Sequence, residues 1–215
     1  FDKNDTIDTL VSKVGKSDFI FHLAGVNRPE NPQEFYEGNR DLTQTVVDAA
    51  IKSGRKIPIL MSSSTQAERD NDYGKSKLGG EEILKSYNKT TKAPICIYRL
   101  PNVFGKWCRP NYNSVVATWC YNFAHDLPIQ VNDETVMLNL LYIDDVVNAF
   151  IKQLDQKKDI DQNYYEVIPV YQKSLGEIRD LLLAFKEKSL SLDTLDGFDK
   201  SLYETYKNYT DKMES

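Results

Sequence analysis

Short apolar runs that alternate with amphipathic segments constrain the fold of this chain most strongly. Apolar runs of strand length occur at Ser17–Gly25, Ile57–Met61 and Pro94–Leu100. Continuous runs of this kind are typical of strands that a parallel sheet buries on both faces. The spacing of apolar residues predicts helices over Pro32–Ser53 and Tyr73–Tyr87. Such repeated strand–helix units predict an α/β fold with a doubly wound parallel sheet and helices on both of its faces.

The chain after the third apolar run is less regular. A stretch rich in Asn, Gly and Pro predicts a loop over Asn102–Asn113. Beyond it the patterns predict further short elements. The strands are expected at Ile129–Val131, Met137–Ile143 and residues 164–168, and the helices at Asn113–Ala124, Asp144–Leu154, Ser174–Lys188 and Asp199–Tyr209.

Composition argues against several classes of function. The 27 basic and 32 acidic residues leave a net charge of −5 and are interspersed, so no basic surface for nucleic acid is expected. No apolar run reaches the roughly 18 residues of a membrane span. Three widely spaced cysteines argue against a disulfide framework, and the distance between His22 and His125 argues against a zinc site. We therefore expect a cytoplasmic protein that binds neither nucleic acid nor membrane and holds no metal.

One group of residues indicates chemistry. Tyr73 and Lys77 lie four residues apart on a predicted helix and share one of its faces, while the second apolar run leads into Ser62–Ser64. A phenol with a pKa near ~10 exchanges protons poorly at neutral pH, and an ammonium one turn away is expected to lower that pKa. The Tyr–Lys spacing also occurs on solvated helix faces, but with the serines it predicts proton transfer at a carbonyl or alcohol oxygen. Glu81 and Glu82 on the same helix are expected to face water.

These motifs resemble those of the extended short-chain dehydrogenase/reductases that act on nucleotide sugars. The matching residues are Phe21–Gly25 at a strand end, Asn39, the trio Ser64, Tyr73 and Lys77, Arg99–Gly105, and Tyr142–Val146. The resemblance implies a Rossmann-like fold. Residues 1–110 and 138–156 would form the catalytic core, and residues 111–137 and 157–215 would form a small substrate-binding α/β portion and the C-terminal helices.

A closer resemblance, to the CapF-type capsular-polysaccharide enzymes, covers nearly the whole chain. It is carried by Gly25–Glu30, Phe104–Ser114 and the short link from Ser64 to Tyr73. That family uses NADPH to reduce the 4-keto group of a UDP-2-acetamido-2,6-dideoxy-hexulose, a step towards UDP-N-acetyl-fucosamine. A separate C-terminal cupin domain of the family performs an epimerisation, and the resemblance implies such a domain in the full-length protein.

The resemblance also implies roles for single residues. Tyr73 would donate the proton to the 4-oxygen, Lys77 would lower the pKa of Tyr73 and hold the nicotinamide ribose, and Ser64 would orient the keto oxygen. The residues implied to line the cofactor, besides Tyr73 and Lys77, are Leu23, Ala24, Asn39, Leu100 and Pro101. Those implied to face the UDP-sugar are Arg28, Asn102, Trp107, Arg109, Asn111 and Asn113.

Each of these roles has a structural alternative. Trp107 can be a packing residue and Arg109 an ordinary surface charge. Asn39 can serve mainly to tie its helix to a loop. We interpret His22 as a hydrogen-bonded core residue rather than an acid or base, and we interpret Asp144 and its neighbour as helix-capping residues.

The chain departs from the family's pattern near its start. No strand followed by the glycine-rich phosphate loop GxxGxxG precedes Ser17. We therefore expect the first β–α unit to be missing, a sheet edge to be exposed and dinucleotide to bind poorly. Asp2 would accept from a free ribose hydroxyl and Lys3 would attract a phosphate, so NAD(H) stays possible while the resemblance favours NADP(H). Leu138 stands where the family often has an arginine that contacts diphosphate.

Three functions remain open from the sequence. The first is the reductase activity with a UDP-sugar substrate. The second is a nucleotide-sugar 4-epimerase or dehydratase; Thr65 and Gln66 follow Ser64, where dehydratases commonly place an acidic pair, which argues against dehydration. The third is a non-catalytic relic that binds a partner subunit or a sugar nucleotide. The resemblance further implies a homodimer formed through helices that include the Tyr73 helix.

Overall fold

The computed structural model describes residues 6–155 and 162–210, which form two compact units. The first unit contains residues up to Leu100 and the segment Phe150–Glu166, and the second contains Pro101–Ala149 and Val167–Ser215. Asp2 and Lys3, on which the cofactor preference was argued, lie outside the described residues. In the described part of the chain, no helix is both long and apolar enough to cross a membrane.

A four-stranded parallel sheet forms the centre of the first unit. Its strands are β1 (Ile20–His22), β2 (Ile59–Ser64), β3 (Ile95–Leu100) and β6 (Tyr164–Tyr165), in the order β1-β2-β3-β6. The register pairs Ile20 with Ile59 and Ser64 with Leu100, so the carboxyl ends of neighbouring strands meet at one edge of the sheet. This parallel arrangement follows from the apolar runs of the sequence.

Helices cover this sheet. They are α1 (Ile7–Gly15), α2 (Gln33–Phe35), α3 (Leu42–Lys52) and α4 (Asp72–Thr91). A single hydrophobic cluster joins α1, α3, α4 and the strands through residues such as Leu10, Val46, Ile59, Leu84 and Ile97. Each of these five side chains is at most 5% exposed.

The helix predicted over Pro32–Ser53 is interrupted by a π-helical turn at Tyr36–Asp41, which joins α2 to α3 without a break. A π-helical turn accommodates one extra residue and often occurs at functional sites. The sequence carries no proline here to mark the irregularity, so spacing alone predicts a regular helix.

The second unit contains a three-stranded sheet in the order β4-β5-β7. Its strands are β4 (Asn102–Phe104), β5 (Met137–Tyr142) and β7 (Tyr171–Ser174). The β4 strand runs parallel to β5, and β5 runs antiparallel to β7. The helices α5 (Val115–Ala124), α7 (Leu175–Lys186) and α8 (Gly197–Thr210) pack on this sheet through an aromatic-rich core. The helix α6 (Ile143–Asp155) begins in the second unit and ends in the first.

The structure differs from the sequence prediction in five places. Residues Asn102–Phe104 form β4 although a loop was predicted, and Ile129–Val131 forms no strand. Residues 138–156 were expected to return to the first unit, but only those from Phe150 onward do, and β5 pairs with β4 and β7 of the second. α1 was not predicted, although its apolar residues have helical spacing. β7 was not predicted because it is short and polar.

Candidate active site

The first turn of α4 is held by its amino-terminal cap. The Asn71 side chain accepts a hydrogen bond of 2.8 Å from the backbone N–H of Gly74, as an N-cap residue does. A Cβ atom at Gly74 would lie 2.3 Å from the carbonyl oxygen of Gln66 and 2.5 Å from that of Arg69. Glycine therefore lets the start of the helix approach the preceding turn, and this approach sets the position of Tyr73.

Tyr73 lies beside Ser64. Ser64 ends β2, and its hydroxyl accepts a hydrogen bond of 3.1 Å from the backbone N–H of Gln66. The phenol ring of Tyr73 packs against the ring of Phe35, with the centroids 5.5 Å apart. Burial raises the pKa of Tyr73, and the nearby Ser64 hydroxyl opposes that rise only in part. The phenol consequently keeps its proton at neutral pH.

Lys77 is buried one turn after Tyr73. It is 6% exposed, and its Nζ atom donates a hydrogen bond of 2.8 Å to the backbone carbonyl oxygen of Ser62. Burial lowers the pKa of the Lys77 ammonium to about 8, and the negative charge of Glu81 acts in the opposite direction.

The structure corrects the expected effect of Lys77 on Tyr73. The sequence predicted a lowered phenol pKa, but burial raises the pKa of Tyr73, and the opposing effect of Ser64 is smaller. The physical reason is desolvation: the phenol is partly withdrawn from water, which disfavours a phenolate. The Lys77 ammonium is directed to the Ser62 carbonyl.

His22 is a buried residue with a satisfied hydrogen bond. Its Nε2 atom lies 2.8 Å from Oγ1 of Thr43, and the Thr43 hydroxyl donates its proton to the carbonyl oxygen of Asn39 at 2.5 Å. A hydroxyl has one proton, so Nε2 of His22 must be the donor to Thr43. Burial, followed by the charge of Lys77, lowers the pKa of His22 to about 4. This confirms the interpretation of His22 as a core residue.

Asn39 ties its π-helical turn to the loop after β1. Its Oδ1 accepts from the backbone N–H of Val26, and its Nδ2 donates to the carbonyl of Val26, both at 2.9 Å. Nδ2 also donates to the Ser76 hydroxyl at 3.0 Å. A Cβ atom at Gly25 would lie 2.6 Å from Asn39 Oδ1, so glycine is needed for this approach. Asn39 therefore acts as a tie between helix and loop, one of the two roles considered from the sequence.

The residues predicted to line the cofactor in the first unit lie at the carboxyl edge of its sheet. Leu23 and Ala24 follow β1, and Leu100 is the register partner of Ser64. Ligands of parallel α/β sheets bind at this edge. Leu23 is 54% exposed, and Lys77 carries three N–H donors in the same region. An open apolar side chain near a buried ammonium fits a nicotinamide ribose and ring. Pro101 belongs to the second unit.

Arg28, also in the first unit, is exposed. The other residues predicted to face the sugar nucleotide lie in the second unit. Asn102 Nδ2 donates to the carbonyl of Asn139 at 3.5 Å. The other four, Trp107, Arg109, Asn111 and Asn113, lie in the loop between β4 and α5. Trp107 is 76% exposed, and its backbone φ is 64°. The Arg109 guanidinium lies 5.5 Å from the ring centroid of Tyr112, and the backbone φ of Asn111 is 55°.

The prediction that Glu81 faces water is wrong. The Glu81 side chain is fully buried, at 0% exposure. Its carboxylate contacts Ser63, Arg99 and Tyr164. Arg99 and Tyr164 stand far along the chain, so helical spacing gave no signal for this burial. Within the described residues, no cluster of three His, Cys, Asp or Glu side chains is placed to hold a metal ion.

Comparisons with known proteins give the family of the chain. The model of the NAD dependent epimerase/dehydratase family matches residues 1–167, and the chain belongs to that family. A Pseudomonas aeruginosa protein, UDP-2-acetamido-2,6-beta-L-arabino-hexul-4-ose reductase, is 46% identical over 212 residues, which are 97% of this chain and 57% of that protein.

Solved structures give the same result. The capsular polysaccharide assembling protein CapF from Staphylococcus aureus is 44% identical with a TM-score of 0.84, over 98% of this chain and 58% of that one. The chain thus spans less than two thirds of the length of these two relatives. UDP-glucose 4-epimerase from Thermotoga maritima has a TM-score of 0.82 at 16% identity, over 97% of this chain and 82% of that one, which shows the fold alone. The family resemblance and the Rossmann-like fold are confirmed.

Gly74→Ala tests the close approach at the start of α4. We expect the free energy of unfolding to fall by about 1–3 kcal/mol, because the new methyl group meets two backbone carbonyls that must move apart. The measurement is urea unfolding. Gly15→Ala is the matched control, since a Cβ atom there has no neighbour within 4 Å; it should leave stability unchanged or raise it slightly. Equal effects of the two substitutions would contradict this account.

His22→Gln tests the buried neutral imidazole. The folded pKa of about 4 lies below the ordinary value of 6.5, so the unfolded state binds more protons between these values. Stability should therefore fall as the pH drops through that window, by up to about 3 kcal/mol. We expect His22→Gln to remove this part of the pH dependence of unfolding and His125→Gln to retain it. If the stability of His22→Gln depended on pH as that of the parent does, the buried neutral imidazole would not be the cause.

Proposed function

We propose that this chain carries the active site of an NADPH-dependent reductase. Its substrate would be the 4-keto group of a UDP-2-acetamido-2,6-dideoxy-hexulose, in the cytoplasmic synthesis of capsular polysaccharide. The observation that carries the proposal is the placement of Tyr73 beside Ser64 at the carboxyl edge of the sheet, with Lys77 buried one turn away. The names of the P. aeruginosa reductase and of S. aureus CapF support the substrate and the pathway.

Bound NADPH would supply a hydride to the carbonyl carbon. In this reaction the Tyr73 phenol donates its proton to the carbonyl oxygen as that oxygen gains negative charge. The Ser64 hydroxyl hydrogen bonds the same oxygen and fixes its position, since Ser64 lies beside Tyr73. Lys77 offers N–H donors to the ribose hydroxyls while one of its N–H groups stays hydrogen-bonded to the Ser62 carbonyl.

The raised pKa of Tyr73 suits the reductive direction. A proton donor must carry its proton before the reaction, and burial keeps the phenol protonated at neutral pH. The expectation of a phenolate stabilised by Lys77 describes an oxidation better than a reduction. In this structure Lys77 serves as a buried cation that attracts the developing oxyanion and the ribose.

NADP(H) is the cofactor we favour, on the strength of the family resemblance, and NAD(H) is the alternative. The UDP-sugar contacts proposed for Arg28, Asn102, Trp107, Arg109, Asn111 and Asn113 rest on the same resemblance. The exposure of Trp107 and Arg109 supports a binding role over a packing role. A cupin domain in the full-length protein also remains part of the proposal.

A 4-epimerase is the second candidate. The family that the chain belongs to includes epimerases by its description, and a Burkholderia thailandensis protein named dTDP-L-rhamnose 4-epimerase is 26% identical over 58% of this chain and 35% of that protein. Product analysis separates the two activities. Net consumption of NADPH indicates a reductase, and turnover without net consumption indicates an epimerase.

Tyr73→Phe tests the proposed proton donor. We expect kcat for reduction of the 4-keto UDP-sugar to fall by about 10²–10⁴-fold, since phenylalanine keeps the ring contact with Phe35 and loses the proton. The rate is followed by loss of nicotinamide absorbance, with NADPH and with NADH, each raised until the rate saturates. Tyr203→Phe, which removes a hydroxyl from α8, is the control and should keep the parental rate. A parental rate in Tyr73→Phe would rule out Tyr73 as the proton donor, and no turnover by the parent would favour the relic.

We also propose that the chain forms a homodimer through α3 and α4. A surface groove between these helices is lined by both apolar and charged side chains, among them Arg40, Ile51, Glu82 and Ile83, and Ile51 is 49% exposed. A mixed surface of this kind can pair with a second copy about a two-fold axis.

Ile51→Glu tests this dimer. We expect the mass in light scattering to halve, because a buried unpaired carboxylate would oppose association. Ile7→Glu is the matched control, since Ile7 lies on α1 and is 60% exposed; its mass should equal that of the parent. Identical masses for both variants and the parent would contradict the proposed interface.

A further inference from the structure

Glu81 is a buried carboxylate that the proposed reaction does not use. It lies on α4 one turn beyond Lys77. Its Oε1 accepts a hydrogen bond of 2.5 Å from the Ser63 hydroxyl and one of 2.9 Å from Nε of Arg99. Its Oε2 accepts bonds of 2.7 Å from Nη2 of Arg99 and 2.8 Å from the Tyr164 hydroxyl. One carboxylate therefore joins α4 to β2, β3 and β6.

This network is fully satisfied and ionic. Burial alone raises the pKa of Glu81, but hydrogen bonds from Arg99, Ser63 and Tyr164 overcome burial and lower the pKa below its usual value. The Arg99 guanidinium also lies 4.9 Å from the ring centroid of Tyr164. Apolar residues of similar volume commonly stabilise a core as well as a buried ion pair does. Stability therefore does not explain why a buried carboxylate occupies position 81. The position of this carboxylate relative to the site does.

Three consecutive residues of β2 face three residues on one side of α4. The Ser62 carbonyl accepts a hydrogen bond from Lys77, the Ser63 hydroxyl donates one to Glu81, and Ser64 lies beside Tyr73. Positions 73, 77 and 81 are spaced four apart and so form one stripe along the helix. The bond to Glu81 is the member of this set that touches neither the proposed substrate nor the cofactor. The bond between Ser63 and Glu81 fixes the position of α4 along β2, and so the positions at which Lys77 meets Ser62 and Tyr73 meets Ser64.

We propose that Glu81 is a positioning residue, which holds the helix that carries Tyr73 and Lys77 in register with the strand that ends in Ser64 and keeps Lys77 charged. This inference rests on the proposed function, since it concerns the same three residues. It adds a residue that holds them in place and sets the charge of one of them.

The surroundings of Lys77 give the sign of the charge effect. His22 faces it from β1 and is neutral above a pKa of about 4. The Ser62 carbonyl faces it from β2, and Tyr73 keeps its proton. Glu81 is the group whose negative charge raises the pKa of Lys77 against the effect of burial. Loss of that charge therefore lowers the pKa of Lys77, and the Arg99 cation, then paired with Glu68 and no longer with Glu81, would act in the same direction.

The test compares Glu81→Gln with Glu68→Gln in the full chain. Glu68 is a matched control because its exposed carboxylate pairs with the same guanidinium, at 2.6 Å from Nη1 of Arg99. Lys77 is titrated by NMR of isotope-labelled lysine, its resonance identified as the one lost in Lys77→Arg. We expect the Lys77 midpoint to fall by about one pH unit in Glu81→Gln and to stay at the parental value in Glu68→Gln. An unchanged midpoint in folded Glu81→Gln would overturn the charge effect.

Ser63→Ala is the second variant and covers the case in which Glu81→Gln does not fold. It removes one bond between β2 and α4 and leaves every charge in place. We expect kcat to fall about 10-fold, with KM for the 4-keto sugar and the Lys77 midpoint unchanged. A parental kcat would overturn the positioning role. If the parent itself does not reduce the sugar, the proposed function fails, while the Lys77 titration, which needs no turnover, still decides whether Glu81 sets the charge.

Discussion

The contact between α4 and β2 is the interaction on which the rest of the first unit depends. A helix that packs on a sheet through apolar side chains alone can slide by a fraction of a turn at small cost. Here Ser62 and Ser63 bind the helix through a carbonyl and a hydroxyl, and directional bonds do not tolerate such sliding. The close approach at Gly74 adds a steric limit at the start of the helix. Phenol, ammonium and hydroxyl therefore meet in one arrangement before any ligand binds.

Much of this fold could be predicted from local pattern. The three apolar runs became β1, β2 and β3 because fully buried parallel strands leave a continuous hydrophobic signal. The pairing of Ser64 with Tyr73 also followed from pattern, since a strand end and an adjacent helix with the right spacing are both visible in the sequence. β7, by contrast, is a four-residue strand of largely polar side chains and leaves no such signal.

The wrong predictions for Glu81 and Tyr73 have a common cause: residues far along the chain decide whether these side chains are buried. Glu81 looks like a solvent-facing charge until Arg99 and Tyr164 are brought to it by β3 and β6. The raised pKa of Tyr73 has the same origin, because spacing along a helix shows a neighbouring cation and does not show desolvation. Charged side chains are placed by long-range partners, and a single sequence without those pairings cannot show which of them are buried.

The geometry of the site depends on the number of residues in the π-helical turn at Tyr36–Asp41. A regular helix rotates by about 100° per residue, so removing one residue from this turn would restore an even helix and swing Phe35 around its axis. The ring of Phe35 now supports Tyr73 at 5.5 Å, while Asn39 in the same turn clamps the loop after β1. A regular α-helix could keep either the contact of Phe35 with Tyr73 or the bonds of Asn39 to the loop after β1, but not both. Substitutions are tolerable along this segment in many places, but insertions and deletions are not.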